Sequence, residues 1–283
     1  MLLIMVINMV FSDPTVVNFC QATADDNPIH DPNYMNSQNK GVVVPGMLLF
    51  STVVNFLHKK TGDYYNYYKL IFGNVICTNE KVDMGFENDG EMKYLYAING
   101  HDSFSTKKER SLALRNGKSK GFITTDGIVR TMHYEQSQLE TFRSLTQNFN
   151  KVLSDFLFAI AYASAALLKA IREPLTEVER EINKLLNKTI NPEQVSPFYQ
   201  TLEVFRTTPH TELNPQGSID YNVRFEREKL NKTYTAHVVC QQNGKVFYHS
   251  IYKMVAIPDK LIMRMVKGLD QLSRSSNRSA SLV

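Results

Sequence analysis

The sequence predicts an α+β protein of two tandem units, each a long buried helix wrapped by a curved antiparallel sheet. Three observations predict it. The chain carries an approximate internal repeat, each copy holds one strongly apolar stretch of helical length, and runs rich in Tyr, Val, Ile, Phe and Thr follow each stretch.

The repeat begins with an apolar start, Met1 to Phe11, read as a buried first strand or as residues preceding a later start at Met5 or Met9. A short segment follows, PTVVNFCQATA (Pro14 to Ala24), then a polar, turn-rich stretch, then the apolar run VVVPGMLLFSTVVNFLHKK (Val42 to Lys60). The second copy repeats the order. YEQSQLETFRSLTQN (Tyr134 to Asn148) leads into VLSDFLFAIAYASAALLKAIRE, with a helix expected near Phe156, and Phe19 and Phe142 take similar places in the two copies. Strands are expected at Tyr68 to Thr78, Glu91 to Asn99 and Gly121 to Tyr134, then at Phe198 to Arg206, Ser218 to Glu226, Lys232 to Gln241 and Lys245 to Ile257. Turns such as NDG and QNG separate several of them. One helix wrapped by such a sheet is the hotdog plan, and two in tandem make a double hotdog, a pseudo-dimer within one chain. The units are expected at residues 1–118 and 119–260, with a boundary at Asn116 to Lys120 and a Ser/Arg-rich tail over 261–283 that is disordered at its end. The charged stretch Glu173 to Lys188 predicts an amphipathic helix inserted in the second unit.

Composition narrows the function. The net charge is only +4, from 32 basic and 28 acidic residues, with no clustered basic stripe, which argues against a nucleic-acid partner. A mildly basic surface suits an anionic ligand such as a phosphorylated carrier. Cys20, Cys77 and Cys240 are widely spaced, without metal-ligand or redox-motif spacing, so reduced thiols in a cytoplasmic setting are expected, with no metal and no cofactor. Neither apolar stretch reads as a membrane span. Met1 to Phe11 is too short, and Val152 to Ile171 carries Asp155 and Lys169, leaving an uncharged centre, Phe156 to Leu168, that is better suited to a buried helix.

The two copies differ between the short segment and the long helix. The first holds the extra stretch ADDNPIHDPNYM (Ala24 to Met35), which predicts one functional site, in the first unit. The Asn27-Pro28 pair forces a tight non-helical bend that can bring Asp25 and His30 to one small volume. A carboxylate and an imidazole there can hold a water and move its protons, as addition of water across a double bond requires. Downstream, VVPGM puts Gly46 at the opening of the buried helix, where free N–H groups favour a developing negative charge such as an enolate-like thioester oxygen. Ser51, one turn into that helix, either faces the ligand or is packed and back-bonded. The remaining histidines show no paired spacing, and the cluster Tyr64, Tyr65, Tyr67 and Tyr68 either lines an acyl tunnel or packs at a strand entry.

The stretch DDNPIH followed by VVPGML resembles the signature of MaoC-like dehydratases, including the (R)-specific enoyl-CoA hydratases: approximately D-x-N-P-hydrophobic-H, then a helix opening like G-M-L. Asp25 and His30 match the catalytic pair, Asn27 and Pro28 the turn, and Gly46 the glycine whose N–H is held to bind the thioester oxygen. Asp26 falls on the variable position. The motif match covers about 35 residues, Phe19 to roughly Val54.

Three features depart from the pattern: Ala24 where glycine is common, Asp31-Pro32 directly after His30, and Pro45 where His or a small residue is frequent. The resemblance implies a hydro-lyase of fatty-acid metabolism, reversibly hydrating 2-enoyl thioesters of CoA or acyl carrier protein to (R)-3-hydroxyacyl thioesters, with Gly46, Asn27 and Ser51 on the substrate side. Association of pseudo-dimers into a homo-oligomer stays open. A hotdog thioesterase and a non-catalytic acyl-thioester-binding protein are the alternatives. Helix one offers no acid between Gly46 and Leu57, where a thioesterase of this fold would usually carry one.

Overall fold

The computed structural model describes residues 4–62, 65–73, 75–89, 92–99, 112–115, 128–147, 150–172, 195–207, 212–227 and 233–268. Among these, the first unit runs β1 (Ile4–Val10), α1 (Asp13–Thr23), a 3₁₀ turn (Pro28–His30), α2 (Pro32–Ser37), α3 (Gly46–Thr61), β2 (Tyr67–Ile71), β3 (Lys81–Asp89), β4 (Met92–Asn99) and β5 (Leu112–Arg115). The second runs β6 (Ile128–Tyr134), α4 (Gln136–Leu145), α5 (Lys151–Arg172), β7 (Val195–Arg206), β8 (Gly217–Arg227), β9 (Thr233–Gln242), β10 (Lys245–Pro258) and α6 (Asp259–Met265).

All ten strands pair antiparallel in one sheet, ordered β1-β3-β4-β5-β2-β7-β10-β9-β8-β6. Read inward from each edge, the two halves are the same: β1-β3-β4-β5-β2 and β6-β8-β9-β10-β7. The repeat seen in the sequence is therefore a repeat of topology. The strand ending at Tyr134 is the counterpart of β1, and the halves join where β2 pairs β7.

The short segments of each copy fold as helices α1 and α4, packed on each other with the Phe19 and Phe142 rings 5.6 Å apart. Such a ring pair adds about 1 kcal/mol beyond the apolar area it buries. Ser12 caps α1 with its hydroxyl, and Glu135 and Gln138 cap α4 reciprocally. The long helices α3 and α5 pack together inside the sheet. Tyr68 of β2 sits between them, its ring 5.6 Å from Phe50 and 5.7 Å from Phe156. Tyr65, Tyr67 and Tyr68 are thus core residues at a strand entry, while Tyr64 lies outside the described residues. The β9–β10 hairpin closes on Asn243-Gly244, both with positive φ (52° and 73°), the backbone a two-residue type I′ turn demands.

Several expectations change. The first strand is not buried: β1 is a sheet edge, with Val6 48% and Val10 60% exposed, because only one of its faces meets the core. The strand expected over Tyr68 to Thr78 leaves the sheet after Ile71, and its second half crosses over the start of α3, with Cys77 bridged to Val43. The second long helix begins at Lys151, ahead of Phe156. Strands β3 and β5 are additional. Residues 261–268, grouped with the tail, complete α6 and dock on the first unit, where Gly41 donates its N–H to the Lys267 carbonyl (3.0 Å) and Lys40 bonds the Val266 carbonyl. The inserted helix Glu173 to Lys188, the boundary Asn116 to Lys120 and the tail from Ser273 lie outside the described residues. Helix α5 is long and apolar enough to cross a bilayer by length and composition alone, yet 89% of its most apolar window is buried within the protein.

Candidate active site

The loop from α1 to α3 is organised by side chains bonding backbone close by. Helix α1 ends at Ala24 in the left-handed region (φ 54°), a conformation that costs a residue with a Cβ about 1 kcal/mol. This is the position where the MaoC-like pattern commonly has glycine; here alanine takes the left-handed conformation. The Asp25 N–H then bonds the Cys20 carbonyl (2.9 Å), while Asp25 Oδ1 accepts the Asn27 N–H (3.1 Å). Asn27 caps the 3₁₀ turn that Pro28 starts, its Oδ1 accepting from the Ile29 N–H (3.5 Å). The bend places His30 back beside Asp25. Asp31 and Pro32 directly start α2, with Asp31 Oδ1 accepting from the Asn33 N–H (2.9 Å). The shortened spacing after His30 is thereby a helix cap.

His30 Nε2 lies 3.8 Å from Asp25 Oδ2, and both side chains are largely buried. On the other side of the ring, Nδ1 is 2.7 Å from the Val43 carbonyl oxygen. A carbonyl only accepts, so Nδ1 carries the proton, and in the neutral ring Nε2 presents its lone pair towards Asp25. The 3.8 Å separation is too long for a direct hydrogen bond and short enough for one water to bond both groups. Val43 is itself held by its N–H to the Ile29 carbonyl (2.9 Å) and by the bridge to Cys77.

Asp25, Asn27, His30 and Gly46 open on one cleft of about 790 Å³, part of it open to solvent. Its other walls are mostly apolar, among them Met47, Leu49, Phe72 and Val75 from the first unit and Leu168 from α5. Gly46 is the first residue of α3, whose N-cap, Pro45, makes no side-chain capping bond, so the first N–H groups of the helix end at the cleft. A Cβ on Gly46 would lie 2.5 Å from Cε1 of Phe72, so the ring packs directly against the glycine.

Neither a family model nor a curated protein matches the sequence. Solved structures do resemble it. A MaoC-like dehydratase from Phytophthora capsici superposes over 90% of this chain and 96% of its own, with 9% identity and a TM-score of 0.53. A conserved hypothetical protein of Mycobacterium tuberculosis, described as having a double hotdog fold, covers 91% of this chain and 96% of its own at 8% identity and TM-score 0.53.

The fold is the double hotdog. A bifunctional dehydratase-cyclase domain from ambruticin biosynthesis resembles it over 93% of this chain and 94% of its own, at 9% identity and TM-score 0.54.

Within this double hotdog the structure brings four of the five candidate residues, Asp25, Asn27, His30 and Gly46, to one cleft. Ser51 is fully buried in α3, does not line the cleft, and its hydroxyl has no hydrogen-bond partner in the structure. Asp26 points elsewhere, 3.6 Å from Lys169 of α5. Sequence reasoning missed Val43, which acts through a carbonyl that any residue carries, Phe72 and Tyr199, which the pairing of β2 with β7 brings to the cleft, and Ser164, which comes with α5. The cysteines are free, and burial, with Glu80 nearby, pushes the Cys77 thiol up to about 12, far from a nucleophile's range. Among the described residues no group of three or more His, Cys, Asp or Glu side chains could hold a metal ion.

Proposed function

We propose that this protein is a hydro-lyase that reversibly hydrates 2-enoyl thioesters, carried by CoA or acyl carrier protein, to (R)-3-hydroxyacyl thioesters. The observation that carries the reading is the pair of proton acceptors, Asp25 Oδ2 and the lone pair of His30 Nε2, 3.8 Å apart at one end of a mostly apolar cleft. A water between them donates one hydrogen bond to each, which orients its oxygen into the cleft. That oxygen bonds to C3 of the enoyl group while a water proton passes to the Asp25–His30 pair. The electrons of the C2=C3 bond move onto the thioester oxygen, and the pair returns one proton to C2. The sum is one water added across one double bond. The N–H of Gly46 is the donor for the enolate-like oxygen, a contribution of about 10²–10³ in rate for a single group. The resemblance of DDNPIH and VVPGML to the MaoC-like signature supports this assignment, as does the likeness of the fold to dehydratases.

The test is loss of the conjugated enoyl-thioester absorbance with crotonyl-CoA and longer trans-2-enoyl-CoAs, comparing the wild type with Asp25→Asn and His30→Ala. The variants should lose roughly 10²–10⁴-fold in kcat/KM while folding normally. Near-wild-type turnover by both would overturn the assignment. Thioester cleavage with free CoA would identify a thioesterase, and tight binding with an unchanged double bond would identify a binding protein.

A further inference from the structure

We propose that Phe72 is the specificity-determining residue of the cleft, its ring setting how long or bulky an acyl chain can pass from Gly46 towards the second unit; this rests on the thioester reading above. Phe72 is the first residue beyond β2, and its backbone is anchored across the junction of the two units by an N–H to the Gln200 carbonyl of β7 (3.0 Å). From that fixed point the ring reaches back over the start of α3, where its Cε1 lies 2.5 Å from the place a Cβ on Gly46 would take. On its other side the ring centroid is 6.2 Å from that of Tyr199. One half-buried side chain therefore occupies the space between the oxygen-binding glycine of the first unit and the wall of the second.

The neighbours of Phe72 are held differently. Tyr199 donates its hydroxyl to the Ser164 carbonyl (2.7 Å) and packs on Tyr252 at 5.2 Å, and the Ser164 hydroxyl bonds the Ile160 carbonyl and Tyr252. That wall is tied together by hydrogen bonds among three elements, β7, α5 and β10. The Phe72 backbone bonds Gln200 of the same strand as Tyr199, while its side chain meets the wall by ring packing, with no polar atom to hold it. The ring is thus placed by packing on Gly46 and Tyr199, and its size sets the room left beside them. A chain whose thioester oxygen rests at Gly46 and whose tail points to Ser164 and Leu168 must pass it. The close contact also gives Gly46 a second reason to be glycine, since any side chain there would displace the ring.

The experiment measures affinity for unreactive saturated acyl-CoAs of increasing length, and kcat/KM for the matching enoyl-CoAs, on the wild type, Phe72→Ala, Phe72→Leu and Phe72→Trp. Truncation should move the preferred length upward, by about fourfold in affinity for each further methylene that finds room, and Phe72→Trp should move it down. Phe72→Leu keeps most of the packing and preserves the comparison if Phe72→Ala unfolds. Gly46→Ala should weaken thioester binding in the wild type much more than in a Phe72→Ala background, where its Cβ has space. A length profile that is the same in all four proteins, or equal penalties for Gly46→Ala in both backgrounds, would overturn the proposal and leave the hydratase reading intact. If the wild type neither binds nor hydrates any acyl-CoA or acyl-carrier-protein thioester, the reading itself fails, and the role of Phe72 with it.

Discussion

The two long helices start differently, and the difference lies in whether the polar groups near their first turns face a cleft or each other. In the first unit, residues 24–45 intervene between α1 and α3; in the second, only residues 146–150 lie between α4 and α5. The longer connection makes the Asp25–His30 pair and leaves α3 without a side-chain cap, its first N–H groups facing a cleft. The shorter one closes its helix off. Asn150 caps α5 with Oδ1, accepting the Leu153 N–H (3.1 Å). One turn further in, the carboxylate of Asp155, fully buried, is taken up by Arg143 and by the Leu213 N–H (2.9 Å). At the start of α5 these polar groups bond each other; at the start of α3 the Asp25–His30 pair and the first N–H groups face a space a ligand can enter. One topology thus opens on a cleft at the start of α3 and carries a buried Asp155–Arg143 pair one turn into α5.

This contrast can be broken in four places. The largest effect is expected at the first-unit pair: Asp25→Asn or His30→Ala should cost 10²–10⁴-fold in hydration, with melting temperature little changed, read by enzyme kinetics alongside thermal unfolding. At the second-unit pair the order should reverse. Asp155→Ala leaves Arg143 and the Leu213 N–H without their acceptor, and should cost about 3 kcal/mol in urea unfolding while the folded enzyme keeps its kcat/KM.

The same carboxyl predicts a pH dependence. Burial raises the Asp155 pKa above its ordinary carboxylate value, outweighing the hydrogen bond from Arg143 and the Leu213 N–H. The unfolded chain therefore releases this proton first as pH rises, and the folded state is progressively disfavoured. The stability of the wild type relative to Asp155→Asn should be greatest below about pH 4 and fall as pH climbs through the raised value of the folded state. Paired unfolding curves across that range would show it, and a difference that grows with pH would reverse the assignment.

Smaller effects are expected at the helix ends. Asn150→Ala should lose about 1 kcal/mol for the missing cap, with no kinetic consequence. Ala24→Gly should gain roughly 0.5–1 kcal/mol by relieving the left-handed turn before Asp25, whereas the corresponding end of α4, Thr146 at φ −87°, needs no such relief. Thermal unfolding of each variant at fixed pH distinguishes the signs.

Much of this was legible in the residues because it is local. The Asn27-Pro28 bend, the helix opening at Gly46 and the turn at Asn243-Gly244 each follow from what a few neighbouring residues permit, and the structure shows each where the sequence places it. The apolar periodicity of α3 and α5 and the strand runs of the second unit are local too. The first strand was misread as buried because alternation along a strand says which face is apolar, while edge or centre depends on what pairs beside it. Ser51 shows the same limit inside a helix: a small polar residue one turn from Gly46 is equally close in sequence to the cleft and to the core, and packing put it in the core.

The sequence by itself determined the repeat, the class of fold and the two groups able to handle a proton, because backbone preference, burial pattern and motif spacing act over short stretches. The pairing of β2 with β7 was decided only in three dimensions. That pairing brings Tyr199, and the packing of α5 on α3 brings Ser164 and Leu168, against a first-unit site more than a hundred residues away, with the Phe72 ring beside them. No short stretch encodes that placement, since it results from two halves of one sheet and two helices burying their apolar faces together.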